Sequence, residues 1–332
     1  MEHRKLGTAG LTVSAIGLGC MGMSGGYGTV DRADCVTTIQ RAVDLGVTLL
    51  DTADFYGGGE NERLIGEAVR GRRADVMIAT RGGVRSEVPG GPPRIVDGSP
   101  TYLRQACDAS LTRLGIDHID LYYLGRADPQ VPIEDSVGTL AQLQATGKIR
   151  HIGLSEVSAE ALRRAHAVQP ISVLESEYSL WERHIEAEIL PAARDLGVGL
   201  VAHSPLGKGF LTGTLPSPEH FGEGDHRRNH PRLQGENFRH NQRMVTQAQP
   251  IAQELGVPLS RLALAWLLSR GDDVVPIPGS RSLEHLHSNI TAIGIRLTER
   301  HIRLLEEIFQ PDRVAGSRHP AHRRAAGVDK DG

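Results

Sequence analysis

Val47-Thr48-Leu49-Leu50-Asp51-Thr52-Ala53-Asp54-Phe55-Tyr56-Gly57-Gly58-Gly59-Glu60-Asn61-Glu62 passes from strand to loop to helix. Val47 to Leu50 is a short, branched, apolar run and predicts a buried strand. Glu60-Asn61-Glu62 opens the periodic run Leu64, Ile65, Ala68, Val69 and predicts a helix. Asp51 therefore stands at the carboxyl end of a strand, and Tyr56 on the loop beyond it. In a barrel of alternating strands and helices, that end carries the chemistry.

The same unit recurs in both directions. Lys5-Leu6 and Leu11-Thr12-Val13 flank Gly7-Thr8-Ala9-Gly10 and predict a small hairpin. Residues 13–19 read as the first buried strand, followed by Gly25-Gly26-Tyr27-Gly28 and a helix capped by Asp31 or Asp34. Further strands are predicted at 76–81, 119–125, 149–155, 171–177, 199–204 and 274–278. Helices are predicted at 100–114, 133–145, after Ser158, at 185–196 and from Ser282. Eight such units predict an α/β fold, a (β/α)8 barrel with an N-terminal hairpin, because parallel strands need helical crossovers. The alternative is an open doubly wound sheet, for which Gly17, Gly19 and Gly22 stand at the glycine spacing and Asp51 at the acid position. The barrel uses all the units, whereas an open sheet leaves sequence over.

Residues 1–332 read as a single domain. Two segments stand outside the repeat: 206–240, a long loop after the seventh strand, rich in Gly, Pro, His and Arg, and the basic tail 311–332. Long loops are usually functional or disordered. The tail has two readings, a flexible end or a flap over the substrate.

Hydrophobic residues make up 39% of the chain and aromatics only 4%, so the core must be built from Ala, Val, Ile and Leu. The net charge of −3 offers no broad basic field for nucleic acid. No run reaches membrane-spanning length, and the first residues lack the apolar core of a signal peptide. Cys20, Cys35 and Cys107 are unevenly spaced, which predicts reduced thiols in a cytoplasmic protein. No metal site is predicted: His285 and His287 face different sides of a helix, and His226, His230 and His240 read as a solvated loop. The oligomeric state is open, and a small molecule is the expected partner.

Several motifs together resemble the aldo-keto reductase superfamily, and within it a bacterial group. They are Leu18-Gly19-Cys20-Met21-Gly22-Met23, Asp51-Thr52-Ala53-Asp54-Phe55-Tyr56-Gly57, Asp120-Leu121-Tyr122-Tyr123, Gly153-Leu154-Ser155-Glu156, Ser176-Glu177-Tyr178-Ser179-Leu180-Trp181 and Ser204-Pro205-Leu206-Gly207-Lys208-Gly209-Phe210-Leu211-Thr212-Gly213. The resemblance covers roughly residues 4–310. It implies one barrel that binds NADPH across its carboxyl end and transfers hydride to a carbonyl. It also implies four catalytic positions: an Asp, a Tyr, a Lys and a His. Asp51 and Tyr56 match. The Lys position holds Arg81, and the His position holds Gly125, before Arg126-Ala127-Asp128.

Arg81 keeps the positive charge and pairs with Asp51, but it does not deprotonate and cannot relay a proton. A tyrosine, with a reference pKa of about 10, is a poor acid unless a cation stabilises its phenolate. An altered or weakened acid is therefore expected. Loss of the His removes a donor to the substrate oxygen, which typically costs on the order of a hundredfold in rate. Gly125 has two readings, a wider pocket or decay of activity.

The cofactor positions that the resemblance implies are Met21 and Asp51, then Ser155, Glu156 and Glu175 for the nicotinamide amide. His203 stands under the ring, Ser204, Pro205, Leu206 and Lys208 along the pyrophosphate, and Gly279, Ser280, Arg281, His285 and Asn289 around the 2′-phosphate. Glu175, when ionised, accepts but cannot donate. The leading expectation is an NADPH-dependent reductase of a specialised carbonyl or related unsaturated small molecule. The alternatives are a cofactor-binding or regulatory protein with little catalysis, or a non-redox enzyme (dehydration or cyclisation) on the same barrel.

Overall fold

The computed structural model describes residues 1–86 and 93–320. Eight parallel strands form one sheet in sequence order: β1 Leu18–Gly19, β2 Leu49–Asp51, β3 Met77–Gly82, β4 Ile119–Leu124, β5 Ile149–Ser155, β6 Val173–Glu177, β7 Gly199–His203 and β8 Val274–Pro276. The sheet closes on itself. Gly19 bridges Gly279 in parallel, and Gly17 N–H donates to the Pro276 carbonyl at 2.9 Å. Two of the glycines that imitate a dinucleotide turn, Gly17 and Gly19, serve this closure: a Cβ on Gly19 would stand 2.7 Å from the Ile277 carbonyl oxygen. The open-sheet alternative is thereby excluded.

Helices α1 Arg32–Asp44, α2 Glu60–Ala68, α3 Pro100–Leu114, α4 Ile133–Ala145, α5 Ala159–Val168 and α6 Ile189–Asp195 follow the first six strands. Asp31, not Asp34, caps α1, accepting from the Asp34 N–H. After β7 come α7 Gly235–Glu254 and α8 Leu259–Leu268. After β8 come α9 Leu283–Ile290 and α10 Glu299–Ile308. No single helix among the described residues is long and apolar enough to cross a membrane.

Side chains alternate between two faces of each strand. Leu50, Ile78, Tyr122, Leu124, Ile152, Leu154, Leu174 and Leu200 face the helices. Leu49, Ala79, Leu121, Val173, Val201 and Val275 face the barrel interior, where Leu6, Leu11 and Val13 of the N-terminal hairpin (His3–Leu6 with Leu11–Ser14) plug the bottom. Two residues further along the same inward columns stand Asp51, Arg81, Tyr123, Glu175 and His203. One apolar layer therefore supports one polar layer at the carboxyl end.

Three expectations change, and one of the two readings of the tail loses its first ten residues. The run 13–19 is not one strand: the chain leaves the hairpin at Ser14, which exchanges hydrogen bonds with Thr48, and re-enters the barrel only at Leu18. The helix expected at 185–196 splits into a turn, His184–Glu186, and α6, because Pro191 has no N–H to carry the ladder through. The segment 206–240 is not one long loop. It is four short 3-10 turns, and α7 begins at Gly235. The tail is packed through residue 320: Arg318 is only 8% exposed. Residues 321–332 lie outside the described residues.

Candidate active site

The polar layer is built around one guanidinium. Arg81, at the end of β3, donates from Nη2 to Asp51 Oδ1 at 2.5 Å, from Nη1 to Glu175 Oε2, and from Nε to the Thr52 carbonyl at 3.2 Å. The sequence pairs Arg81 with Asp51, but Glu175 joins it as well. Glu175 turns into the barrel, toward Arg81, because period two along β6 aims it there. One cation faces two carboxylates, all 5% exposed or less. Burial pushes the Asp51 pKa well above the usual carboxylate range, with Arg81 opposing it. Its second oxygen, Oδ2, is buried with no hydrogen-bond partner among the described residues. Burial pulls Arg81 down, but Asp51 and Glu175 outweigh it and raise its pKa further.

Tyr56 lies over this layer, half-buried, with the Arg81 guanidinium carbon 5.8 Å from its ring centroid. Its loop turns through Gly57, Gly58 and Gly59, all with positive φ. The helix behind fixes that loop. Asn61 accepts from Thr52 Oγ1 and donates to the Cys20 carbonyl and Ser24 Oγ, while fully buried Glu62 accepts from Thr80 and Arg113. Burial raises the Tyr56 hydroxyl above its ordinary value, and Arg81 offsets this only in part, since Asp51 and Glu175 push the other way.

Gly125 is not an open hole. Its N–H donates to the Gly82 carbonyl at 2.7 Å, and a Cβ there would stand 2.9 Å from that oxygen. The backbones are already as close as a glycine allows. The neighbouring Arg126 folds back, donating from Nη1 to the Gly125 carbonyl at 2.7 Å and to Ser155 Oγ at 3.4 Å. It adds a second cation whose field lowers the Tyr56 pKa.

A second cluster lines the ends of β5 to β7. Glu156 Oε1 lies 2.7 Å from His203 Nε2 and also accepts from the Glu177 N–H. Ser204 Oγ lies 3.2 Å from His203 Nδ1. Lys208 reaches Glu177 at 2.7 Å instead of standing free for a pyrophosphate. Pro205 is buried beside it, and Leu206 packs on the core. Among the described residues, the non-glycines with positive φ are Glu156, Ser204 and Lys208. Side chains rarely adopt that region without cost, so the backbone holds strain along this one strip.

Both carboxylates of the strip converge on a residue the sequence reading did not single out, Arg318. It donates from Nη2 to both Glu156 oxygens at 2.7 Å and from Nε to Glu177 Oε2 at 2.9 Å. Burial alone would raise Glu156 and Glu177, but their cationic neighbours hold both well below the usual range. The only hint in the sequence is unspecific: Glu156 and Glu177 close two consecutive strands, Glu182 follows in the next loop, and the tail is basic.

A third group gathers where β8 meets α9. Gly279 is exposed, Ser280 buried, and exposed Arg281 bends back to the Tyr27 and Thr29 carbonyls at 3.2 and 3.5 Å. Ser282 caps α9 by accepting from the His285 N–H, while Asn289 is buried and the His285 side chain exposed. Met21 sits half-buried beside Gly26, whose carbonyl accepts from the His226 N–H at 2.9 Å. The loop after β7 thereby reaches across to the loop after β1. The donor set suits an anion here: a guanidinium, hydroxyls and a helix start. At the β5–β7 end, arginines hold the acceptors Glu156 and Glu175.

Against known proteins, the model of the aldo/keto reductase family matches residues 15–310. A probable aldo-keto reductase 1 from Glycine max is 42% identical over 317 residues, 95% of this chain and 91% of that one. The glycerol dehydrogenase of Gluconobacter oxydans superposes with a TM-score of 0.84 at 27% identity, covering 93% of this chain and 96% of that one. An aldo/keto reductase from Klebsiella pneumoniae, solved with NADP and acetate, gives 0.73 at 25% identity, over 94% and 96%.

Proposed function

Because the chain belongs to the aldo-keto reductase family, we propose that it is an NADPH-dependent reductase of a specialised carbonyl, with Arg81 and Gly125 standing where the family's Lys and His stand. The small molecule's oxygen meets Tyr56 above the Asp51–Arg81–Glu175 layer. Arg281, Ser280 and the start of α9 would hold the phosphate end of the cofactor, and Ser155 and His203 its other end. NADPH, when bound, supplies the hydride.

The observation that carries the reading is the placement of Tyr56 beside a buried guanidinium. Tyr56 keeps its proton through neutral pH and donates it to the oxygen that gains negative charge. Arg81 offsets that charge from beneath but cannot pass a proton on. Tyr56 is only half-buried, so water can return its proton. With two carboxylates drawing on one guanidinium, less of its field reaches Tyr56, so turnover is expected to be slow.

Tyr56→Phe tests this. Turnover should fall by on the order of a hundredfold or more while NADPH affinity stays unchanged in a fluorescence titration. Turnover equal to the parent would remove Tyr56 from the reaction. The upward push on Tyr56 also favours a second reading, a cofactor-holding protein without fast chemistry. Single-turnover mixing of bound NADPH with a broad aldehyde panel separates them: oxidation favours the first, binding alone the second.

A further inference from the structure

We propose that Glu156 and Glu177 form a guanidinium-binding site at the barrel mouth, filled in the cofactor-free protein by the chain's own Arg318, and that this occupant excludes the nicotinamide end of the cofactor. The inference rests on the reading above that the chain binds NADPH.

The site is built, not incidental. Every nitrogen of the Arg318 guanidinium is used: Nη2 on both Glu156 oxygens, Nε on Glu177, and Nη1 at 3.2 Å from His184 Nε2. Glu182 adds a third carboxylate at 4.0 Å. Taking an arginine and its acids out of water is costly unless geometry and charge are both matched, and here they are. The tail has a second anchor on α7. Fully buried Asn241 donates from Nδ2 to the Ala315 carbonyl and accepts the Ala315 N–H, each at 2.9 Å. Between the anchors, Gly316 turns at φ +91°, so close to Arg232 that a Cβ would lie 3.0 Å from its N.

The exclusion follows from shared contacts. Glu156 adjoins Ser155 and touches His203, the residues assigned above to the nicotinamide end. The bound guanidinium covers both Glu156 oxygens. Glu156 also carries a left-handed backbone, φ 57°, whose strain the paired carboxylate helps to sustain. A cofactor that seats there must first release Arg318, and its apparent affinity is reduced by the fraction of molecules in which the tail is docked.

The experiment is NADPH fluorescence titration of the full chain, its Arg318→Ala variant and its Asn241→Ala variant, with hydrogen exchange on residues 311–320. Arg318→Ala should bind NADPH about tenfold tighter. Methylguanidinium at tens of millimolar should weaken that binding again in the variant but not in the parent. Asn241→Ala, which leaves every carboxylate paired, should tighten binding in the same direction. In the parent chain, saturating NADPH should strip the tail of exchange protection, a result that needs no variant to fold. Equal or weaker binding by folded Arg318→Ala, or a tail equally protected at saturating NADPH, overturns the exclusion and leaves the reductase reading intact. Absence of NADPH binding in all three proteins removes the reductase reading, and the exclusion with it.

Discussion

Asp54 shows how one side chain sets a pH response. It lies next to the loop that carries Tyr56, and burial, aided by Glu62, raises its pKa to about 8. One oxygen, Oδ1, has no hydrogen-bond partner among the described residues, while Oδ2 accepts from the Tyr102 hydroxyl at 3.4 Å. The folded chain holds a proton there that the unfolded chain releases near pH 4, so this contribution to stability is complete below about pH 4 and is lost as pH rises toward 8. Urea unfolding should therefore show declining stability from pH 5 to 8, and Asp54→Asn should flatten that slope. An unchanged slope would place the ionisation elsewhere. At the same scale, the placement of Asp51, Tyr56 and Arg81 was legible, because each ends a recognisable strand or its loop. Arg318 was not: its partners lie more than a hundred positions away and no periodicity points at them.

Strands and helices explain which expectations held. The eight repeats were readable because most strands are short apolar runs and several helices open on a capping side chain, as α3 does on Ser99 and α5 on Ser158. What escaped were places where geometry between elements decides. Period two along β6 and β7 already aimed Glu175 and His203 inward, but only the closed barrel brings Glu175 to Arg81. The glycine spacing of the first strand had two meanings, and the contact with β8 chooses between them. Gly19→Ala should therefore be destabilising by about 1–3 kcal/mol, since an added methyl meets backbone and not a yielding side chain. A thermal melt within 1 °C of the parent would mean that β1 and β8 tolerate separation.

For the molecule as a whole, the hairpin at the bottom matters as much as the acids at the top. Arg4 donates to the carbonyls of Leu268, Gly271 and Val274 at 2.7–2.9 Å, tying the hairpin to the end of α8 and to β8. Arg4→Ala should cost at least about 2 kcal/mol, because it leaves partly buried carbonyls without a donor. Circular dichroism and the fluorescence of Trp181 and Trp266 should still report one shared transition if plug and barrel unfold together; two separated transitions would mean that the plug unfolds alone. The seam between Gly19 and Gly279 also bears on biosynthesis. Everything from Gly19 through Gly279 must leave the ribosome before those two glycines can meet, so until then the nascent sheet carries two bare edges, open to strands of other chains.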